Sequence, residues 1–316
     1  QNFIIEPADF AFYARIQIPA PTWCPECRLS RKMQWMNFRH WYPRVVDGKN
    51  VLSVYAPDCP IPLMSTRQWY SDEWDAMDYG VEYDFSRPFF EQYKELYNKV
   101  PKPNMAVDLT SINSDYCNDL GEAKNCYLST TILNSEEAYY STTVVFSKQI
   151  FDCLWVEDSE LCYQCINIHR SRGCLFSEQI DGCIDSIFLY DCRNTSNSIA
   201  CVGLRNAQYH IFNKQYSKEE YEKYRAELLA TGYSGIKALE VEFKKFRDAR
   251  PKRFAQIFHS TNVTGNYVYG SNNCAHCFEM TKGVENCKYV TYAGLGLKDS
   301  YDCYNAGSSS ELLYES

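Results

Sequence analysis

The chain has 316 residues, a formal net charge of −8 and 45% hydrophobic residues, with 16 cysteines and 26 tyrosines among them. This length allows one large domain or two ordinary ones with a sizeable core, and the acidic balance excludes a uniformly basic nucleic-acid binder. No run of about 18 apolar residues occurs, so the sequence predicts no membrane-spanning segment.

The first 65 residues contain a Cys-Pro-Glu-Cys motif of the kind found in zinc ribbons. Cys24 and Cys27 could supply two thiolate ligands, whereas a tetrahedral zinc site needs four. His40, Cys59 or residues upstream of the chain are the candidates for the other two. We therefore interpret residues 1–65 as a zinc-ribbon-like module with zinc as its cofactor, and a pair of reduced structural cysteines is the alternative.

A basic and aromatic segment, residues 28–44, follows this motif. Cations interleaved with aromatic rings suit single-stranded nucleic acid, because they neutralise phosphates and stack on bases. The candidate residues are Arg28, Arg31, Lys32, Trp35, Arg39, Trp41 and Arg44. We favour the alternative, a helix whose cations cover tryptophans or pair with acidic residues, and keep nucleic-acid binding as a candidate function.

Residues 66–107 are predicted to form a short helical linker region. Ser86 is a suitable N-cap for a helix in which Phe89 and Tyr93 recur at helical spacing. Pro101 is expected to end that helix.

From residue 108 to about residue 212 the sequence consists of short β-prone runs separated by Asn, Asp, Ser and Gly. Cysteines recur here at a spacing of nine residues, and the position three residues after a cysteine is often small. A short fixed period with polar corners is typical of a β-solenoid. The cysteines of this ladder are Cys117, Cys126, Cys153, Cys162, Cys165, Cys174, Cys183, Cys192 and Cys201.

Three roles are open to the ladder cysteines. Inward packing is favoured, because cysteine is small and among the most buried residue types, while the neighbouring Asn and Asp tolerate the left-handed backbone of turns. Disulfides would fit a small secreted scaffold better. Metal binding would centre on Cys162-x-x-Cys165 or Cys274-x-x-Cys277, which have the spacing of half a zinc site.

Residues 213–257 are predicted to form a helical hairpin. Ser217 and Glu220 form a capping box for its first helix, and Gly232 separates the two helices. Short β-prone runs return in residues 258–316. The hairpin is therefore predicted to be inserted into one β region, which we expect to continue beyond the chain end. The predicted fold is thus a mainly β, right-handed parallel β-solenoid (β-helix), whose hand follows the usual preference of crossovers.

Several stretches, among them CPECRLSRKMQWMNFRHWYPR, VLSVYAPD and FNKQYSKEEYEKY, resemble in their order a group of uncharacterised bacterial proteins. Those proteins have an N-terminal zinc-ribbon-like motif followed by Cys-Tyr-rich repeats, and the resemblance covers most of the chain but implies no activity. It does imply another CxxC before Gln1, which would complete a four-cysteine site with Cys24 and Cys27. The chain is then expected to be a fragment. Relatives tend to have a cysteine before the residue that matches Asp47, where this chain has Val46.

No catalytic residue is predicted, because the sequence has neither a G-x-S-x-G motif nor a phosphate loop, and its five histidines are scattered. We predict a non-catalytic binding or scaffold protein that offers a rigid, tyrosine-rich solenoid face to a protein partner or to another copy. The alternatives are a nucleic-acid-associated protein that uses residues 28–44 and a glycan-active β-helix enzyme with clustered carboxylates. Reduced cysteines favour a cytoplasmic location.

Overall fold

A computed structural model describes residues 2–34, 37 and 39–316. The chain divides into two compact units, which we describe separately. The terminal unit comprises Gln1–Asn37 together with Lys252–Ser316, and the central unit comprises Phe38–Pro251. The segment predicted as a zinc-ribbon-like module, residues 1–65, is therefore shared between the two units.

The helices of the described residues lie before the first strand and between later strands. They are α1 (Pro7–Arg15), α2 (Pro25–Met33), α3 (Thr66–Trp69), α4 (Phe89–Lys99), α5 (Lys218–Ala230) and α6 (Gly232–Asp248), with a 3-10 turn at Ala76–Tyr79. Among the described residues, none of these helices is both long and apolar enough to cross a membrane.

Most strands contain four residues. In the central unit they are β1 (Tyr42–Val46), β2 (Lys49–Ser53), β3 (Leu63–Met64), β4 (Lys102–Pro103), β5 (Asn118–Gly121), β6 (Thr130–Leu133), β7 (Glu136–Tyr139), β8 (Thr142–Val145), β9 (Lys148–Phe151), β10 (Leu154–Glu157), β11 (Glu160–Tyr163), β12 (Ile166–His169), β13 (Glu178–Asp181), β14 (Ile187–Tyr190), β15 (Arg193–Ser196), β16 (Ile199–Val202), β17 (Arg205–Gln208), β18 (His210–Ile211) and β19 (Lys214–Gln215). In the terminal unit they are β20 (Ile257–Phe258), β21 (Thr261–Tyr269), β22 (Asn272–Met280), β23 (Thr291–Gly294) and β24 (Tyr304–Gly307).

The predicted helices are present with one change of boundary. The capping box of α5 is formed, since the Ser217 N–H donates to Glu220 Oε2 (2.9 Å) and the Glu220 N–H donates to Ser217 Oγ (3.2 Å). Ser86, however, does not cap α4. Pro88 occupies the N-cap position, and Ser86 instead donates to the carboxylate of Asp84.

The central unit contains a stack of parallel coils that repeat every twelve residues. Thr130 pairs with Thr142, Thr142 with Leu154, and Leu154 with Ile166. The largest sheet of the described residues has twelve strands, paired in parallel except at β18 and β19. The prediction of a mainly β fold built from parallel strands is confirmed.

Every third residue of this stack is buried. From Cys126 to Cys201, each third side chain is at most 5% exposed, so a twelve-residue coil has four inward positions separated by outward pairs. The ladder cysteines are buried, as inward packing requires, but their nine-residue spacing is not the coil length. Nine residues are three inward steps, so successive cysteines lie on different sides of the interior, and Cys201 returns to the side of Cys165 three coils later.

A left-handed residue precedes each inward position. The backbone φ is 53° at Asn125, 48° at Asn134, 53° at Asp152 and 56° at Asn167. Asn and Asp adopt this conformation more readily than other side chains that carry a Cβ. The frequent Asn and Asp residues beside the ladder therefore have the turn role that the sequence predicts.

Serine and cysteine make the same hydrogen bonds at the inward positions. Ser129 Oγ donates to the carbonyl oxygen two residues earlier (3.0 Å) and accepts the N–H of Ser141 in the next coil (3.0 Å). Cys153 Sγ donates to the corresponding carbonyl (3.1 Å) and accepts the N–H of Cys165 (3.3 Å). Each thiol thus fills space and also satisfies buried backbone groups, which would be costly to leave unpaired.

We expect the ladder cysteines to resist alkylation in the native protein because they are buried. Cys27 should react first because it is exposed, even though its hydrogen bond with Cys24 raises its pKa. Burial raises the pKa of Cys117, Cys192 and Cys201 to about 12 and that of Cys183 to about 11, so these thiols stay protonated near pH 8. Brief treatment with iodoacetamide followed by peptide mass spectrometry measures this, with urea-unfolded protein as the control. Labelling of ladder cysteines as fast as Cys27 would contradict their inward placement.

The terminal unit contains a second parallel stack, whose coils have thirteen residues from Asn272 onward. Asn272 pairs with Glu285, and Glu285 pairs with Lys298. The additional residue of each coil lies at a corner where Gly283 and Gly296 have φ values of 82° and 90°. Glycine suits this corner because it has no Cβ.

Helices α1 and α2 pack on one outward face of the terminal stack. The ring of Phe12 stacks on that of Tyr301, with centroids 3.9 Å apart, and Tyr13 contacts Tyr314 edge-on at 5.6 Å. Phe12 and Tyr13 are therefore buried against the terminal stack.

Candidate binding face

One outward face of the central stack is lined by aromatic and aliphatic side chains, and we call it the aromatic face. Tyr127 is bridged to Tyr139, Tyr139 to Phe151, and Phe151 to Tyr163, each twelve residues further along the chain. The same column continues through further β-bridges. The apolar residues of the face are Tyr116, Tyr127, Leu128, Tyr139, Tyr140, Phe151, Tyr163, Leu175, Phe176, Ile187, Phe188, Ile199, Ala200, Ile211 and Phe212. The exposed Asp152 and Gln164 interrupt them between Tyr140 and Phe176.

The rings of this face contact one another from coil to coil. Tyr139 and Phe151 are stacked, with centroids 4.9 Å apart and an interplanar angle of 3°. Tyr127 contacts Tyr140 edge-on at 5.9 Å and Tyr116 at 5.8 Å. The spacing follows from the distance between hydrogen-bonded parallel strands, which places equivalent side chains about 4.8 Å apart.

The helical hairpin of α5 and α6 covers the C-terminal half of the aromatic face. Ile236, Leu239 and Phe243 of α6 are buried in one cluster with residues of this face. The ring of Phe243 lies 5.6 Å from that of Phe188. We call the region from Leu175 to Phe212 the covered half.

The N-terminal half of the face is not covered in the central unit. Tyr116 is 51% exposed, Tyr127 39%, Tyr140 56% and Phe151 39%. Together with Tyr139 and Tyr163 these residues form what we call the exposed half. A contiguous exposed patch of large apolar side chains is typical of an interaction surface, and tyrosine is well suited to one.

A different outward face carries charges of alternating sign. Lys124 Nζ lies 3.1 Å from a carboxylate oxygen of Glu136, whose other oxygen lies 3.4 Å from Lys148 Nζ. These residues line an open depression of about 820 Å³ that Asp158 and Glu160 also border. The two lysines lower the pKa of Glu136, which is opposite to the raised pKa that a glycosidase general acid needs.

The predicted zinc ligands lie at the N-terminus of α2. Cys24 is the N-cap residue, and its Sγ accepts the N–H of Cys27 (3.4 Å), which lowers the pKa of Cys24. Two thiolates in this arrangement fit half of a tetrahedral zinc site. Among the described residues, no group of three or more His, Cys, Asp or Glu side chains could hold a metal ion. Zinc binding therefore stays a prediction.

Arg28 and Arg31 of the predicted basic segment are engaged with acidic residues of the terminal stack. Arg28 is 1% exposed, and its Nη2 lies 2.8 Å from Asp302. Arg31 pairs with Glu315 and lies over the Trp23 ring. The expectation that Arg28 could bind phosphate on the surface is wrong, because this guanidinium is buried against a carboxylate.

The other residues of the basic segment are divided between the two units. Burial lowers the pKa of Lys32 in the terminal unit, whereas Arg39, Trp41 and Arg44 belong to the central unit. Arg39 is exposed, Trp41 is half-buried, and Arg44 donates to the carbonyl of Tyr55 (3.3 Å). Trp35 lies outside the described residues.

Comparisons with known proteins do not identify a family. No family model matches the chain. No curated protein matches it significantly. Among solved structures, a match to the polySia-specific acetyltransferase NeuO has 11% identity and a TM-score of 0.09, and covers 66% of this chain and 81% of that one. A TM-score this low carries no argument about fold or function.

Proposed function

We propose that this protein is a non-catalytic binding or scaffold protein and that the exposed half of the aromatic face is its binding surface. The observation that carries the proposal is the continuity of this face. One half is covered by the helical hairpin of the same chain, and the other half presents mainly tyrosine rings to solvent, with Asp152 and Gln164 among them. A partner with an apolar helical surface would bury the exposed half as α6 buries the covered half.

The stacked coils make the surface rigid. Tyr127, Tyr139 and Phe151 are attached to paired strands and contact neighbouring rings, so little side-chain entropy remains to be lost on binding. The proposal has three further parts. The coils wind right-handed, and the location is cytoplasmic, which is consistent with the free ladder thiols. In a longer chain, Cys24 and Cys27 bind zinc.

The alternative functions have less support. Nucleic-acid binding through residues 28–44 could not use Arg28, which is buried against Asp302, and Arg31 is paired with Glu315. A glycan-active enzyme would use the carboxylates of the charged depression, where Glu136 is held between two lysines. Neither arrangement favours its function over binding at the aromatic face.

The proposal is tested by selecting displayed amphipathic helical peptides on the whole protein and measuring their affinity for variants by fluorescence anisotropy. We expect Tyr127→Ser/Tyr140→Ser to weaken the selected peptides about tenfold or more, because aromatic anchors dominate such surfaces. Tyr233→Ser/Phe254→Ser is the matched control, since both of its rings are exposed outside the face. Equal affinities for wild type and the face variant would refute the proposal.

A further inference from the structure

Helix α4 carries an apolar stripe that the central unit leaves exposed. Phe89 is 54% exposed, Phe90 80% and Tyr93 49%. The rings of Phe89 and Tyr93 are stacked, with centroids 5.8 Å apart, and Phe85 just before the helix is also exposed. A helix with this stripe at its N-terminal end needs an apolar surface to cover it.

The stripe resembles the one with which α6 covers the aromatic face. On α6 the buried residues are Ile236, Leu239 and Phe243, which are separated by three and four positions. On α4 the residues Phe89, Tyr93 and Leu96 are separated by four and three positions. Both stripes combine aromatic and aliphatic side chains on one side of a helix, with one aromatic ring on α6 and two on α4.

The C-terminal end of α4 is fixed to the rest of the central unit. Tyr97 lies under the ammonium of Lys102 at 4.6 Å, and Lys102 pairs with Leu63 through β3 and β4. The N-terminal end, with Phe89 and Phe90, is therefore held outward in a defined position. Such preorganisation lowers the entropic cost of docking.

We propose that the exposed half of the aromatic face binds helix α4 of a second copy of this chain. This inference rests on the proposed function and names the partner. Its support is the continuity of the exposed half with the half that α6 covers, together with the presence on the same chain of a second, uncovered helix with a matching stripe. The contact is head to tail, because the two surfaces differ and each copy carries both.

The test uses the full chain and two variants, each disabling one surface. Phe89→Ser/Tyr93→Ser removes the helix stripe, and Tyr127→Ser/Tyr140→Ser removes the face. Sedimentation velocity over a range of concentrations should show that wild type associates, while each variant alone is monomeric. An equal mixture should form dimers and nothing larger, because it contains one intact helix and one intact face that can meet.

Other results overturn the inference in recognisable ways. Association of both single variants at the wild-type level would show that neither surface is used, and monomeric variants that fail to dimerise on mixing would exclude the head-to-tail contact. Weak complexes have dissociation constants in the micromolar range, so a wild-type protein that stays monomeric at about 100 μM would also refute the inference. If selected peptides still bind the exposed half, only the identity of the partner fails and the proposed function stands.

Two controls guard these conclusions. Tyr233→Ser/Phe254→Ser removes exposed rings elsewhere and should associate like wild type. Urea unfolding of each variant checks folding. Phe90→Ser and Tyr116→Ser, which alter one exposed ring on each surface, serve as milder second variants that should weaken association severalfold.

Discussion

Replacing Asp9 with alanine is expected to lower the free energy of unfolding of the terminal unit by about 3–5 kcal/mol, because it leaves a buried ammonium without its buried partner. Lys288 Nζ lies 2.9 and 3.0 Å from the two carboxylate oxygens of Asp9 and 2.9 Å from Glu6 Oε2. The Lys288 side chain is 8% exposed and that of Asp9 is 3% exposed, so water can replace little of the lost interaction.

The pKa of Lys288 also indicates that its acidic partners stabilise the charged ammonium. Burial alone would lower it, but the hydrogen bonds to Asp9 and Glu6 outweigh burial and raise the pKa above its usual range. Because the folded-state pKa is above the unfolded value, the contribution of Lys288 to stability is fully present below about pH 10 and is lost as the pH rises through the raised pKa.

Urea denaturation of the full chain measures the effect of Asp9→Ala, and two variants serve as its controls. Glu6→Gln should cost under about 1 kcal/mol, because the Glu6 side chain is 64% exposed. The double variant Asp9→Leu/Lys288→Met removes both charges and should recover most of the loss. An Asp9→Ala variant no less stable than Glu6→Gln would contradict the buried network.

The sequence predicts local features of the fold well. The capping box of Ser217 and Glu220 involves residues three apart, and the left-handed corners use Asn and Asp, so both are visible in short windows. The twelve-residue coil length cannot be deduced from the spacing of the cysteines, because serine, cysteine and aliphatic residues all fit the inward positions. The spacing of Tyr127, Tyr139 and Phe151 does contain the twelve-residue period.

The candidate site could be predicted only in part. The tyrosine count indicates an aromatic surface, but which rings stay exposed depends on where α6 packs, and α6 lies about a hundred residues away from Tyr140 in the chain. The partners of Arg28 and Arg31 are likewise remote, since Asp302 and Glu315 belong to the last coils. Contacts at such separations leave no signal in a single sequence.

The backbone of the terminal stack depends on one glycine at a change of register. Val263 pairs with Cys274, eleven residues later, but Gly265 pairs with Cys277, twelve residues later. Gly265 has a φ of 139°, and a Cβ added there would lie 1.7 Å from the carbonyl oxygen of Cys277. This conformation and this close approach are both available only to glycine.

Gly265→Ala is therefore expected to destabilise the terminal unit by about 3 kcal/mol or more, since strain at φ adds to displacement of a paired strand. Gly203→Ala is the matched control, because Gly203 also has a positive φ (71°) but nothing lies within 4 Å of its added Cβ. That control should cost about 1–2 kcal/mol from the left-handed conformation alone. Urea denaturation of both variants compares the two losses, and a loss for Gly265→Ala no larger than that for Gly203→Ala would contradict both the strain at φ 139° and the close approach to Cys277.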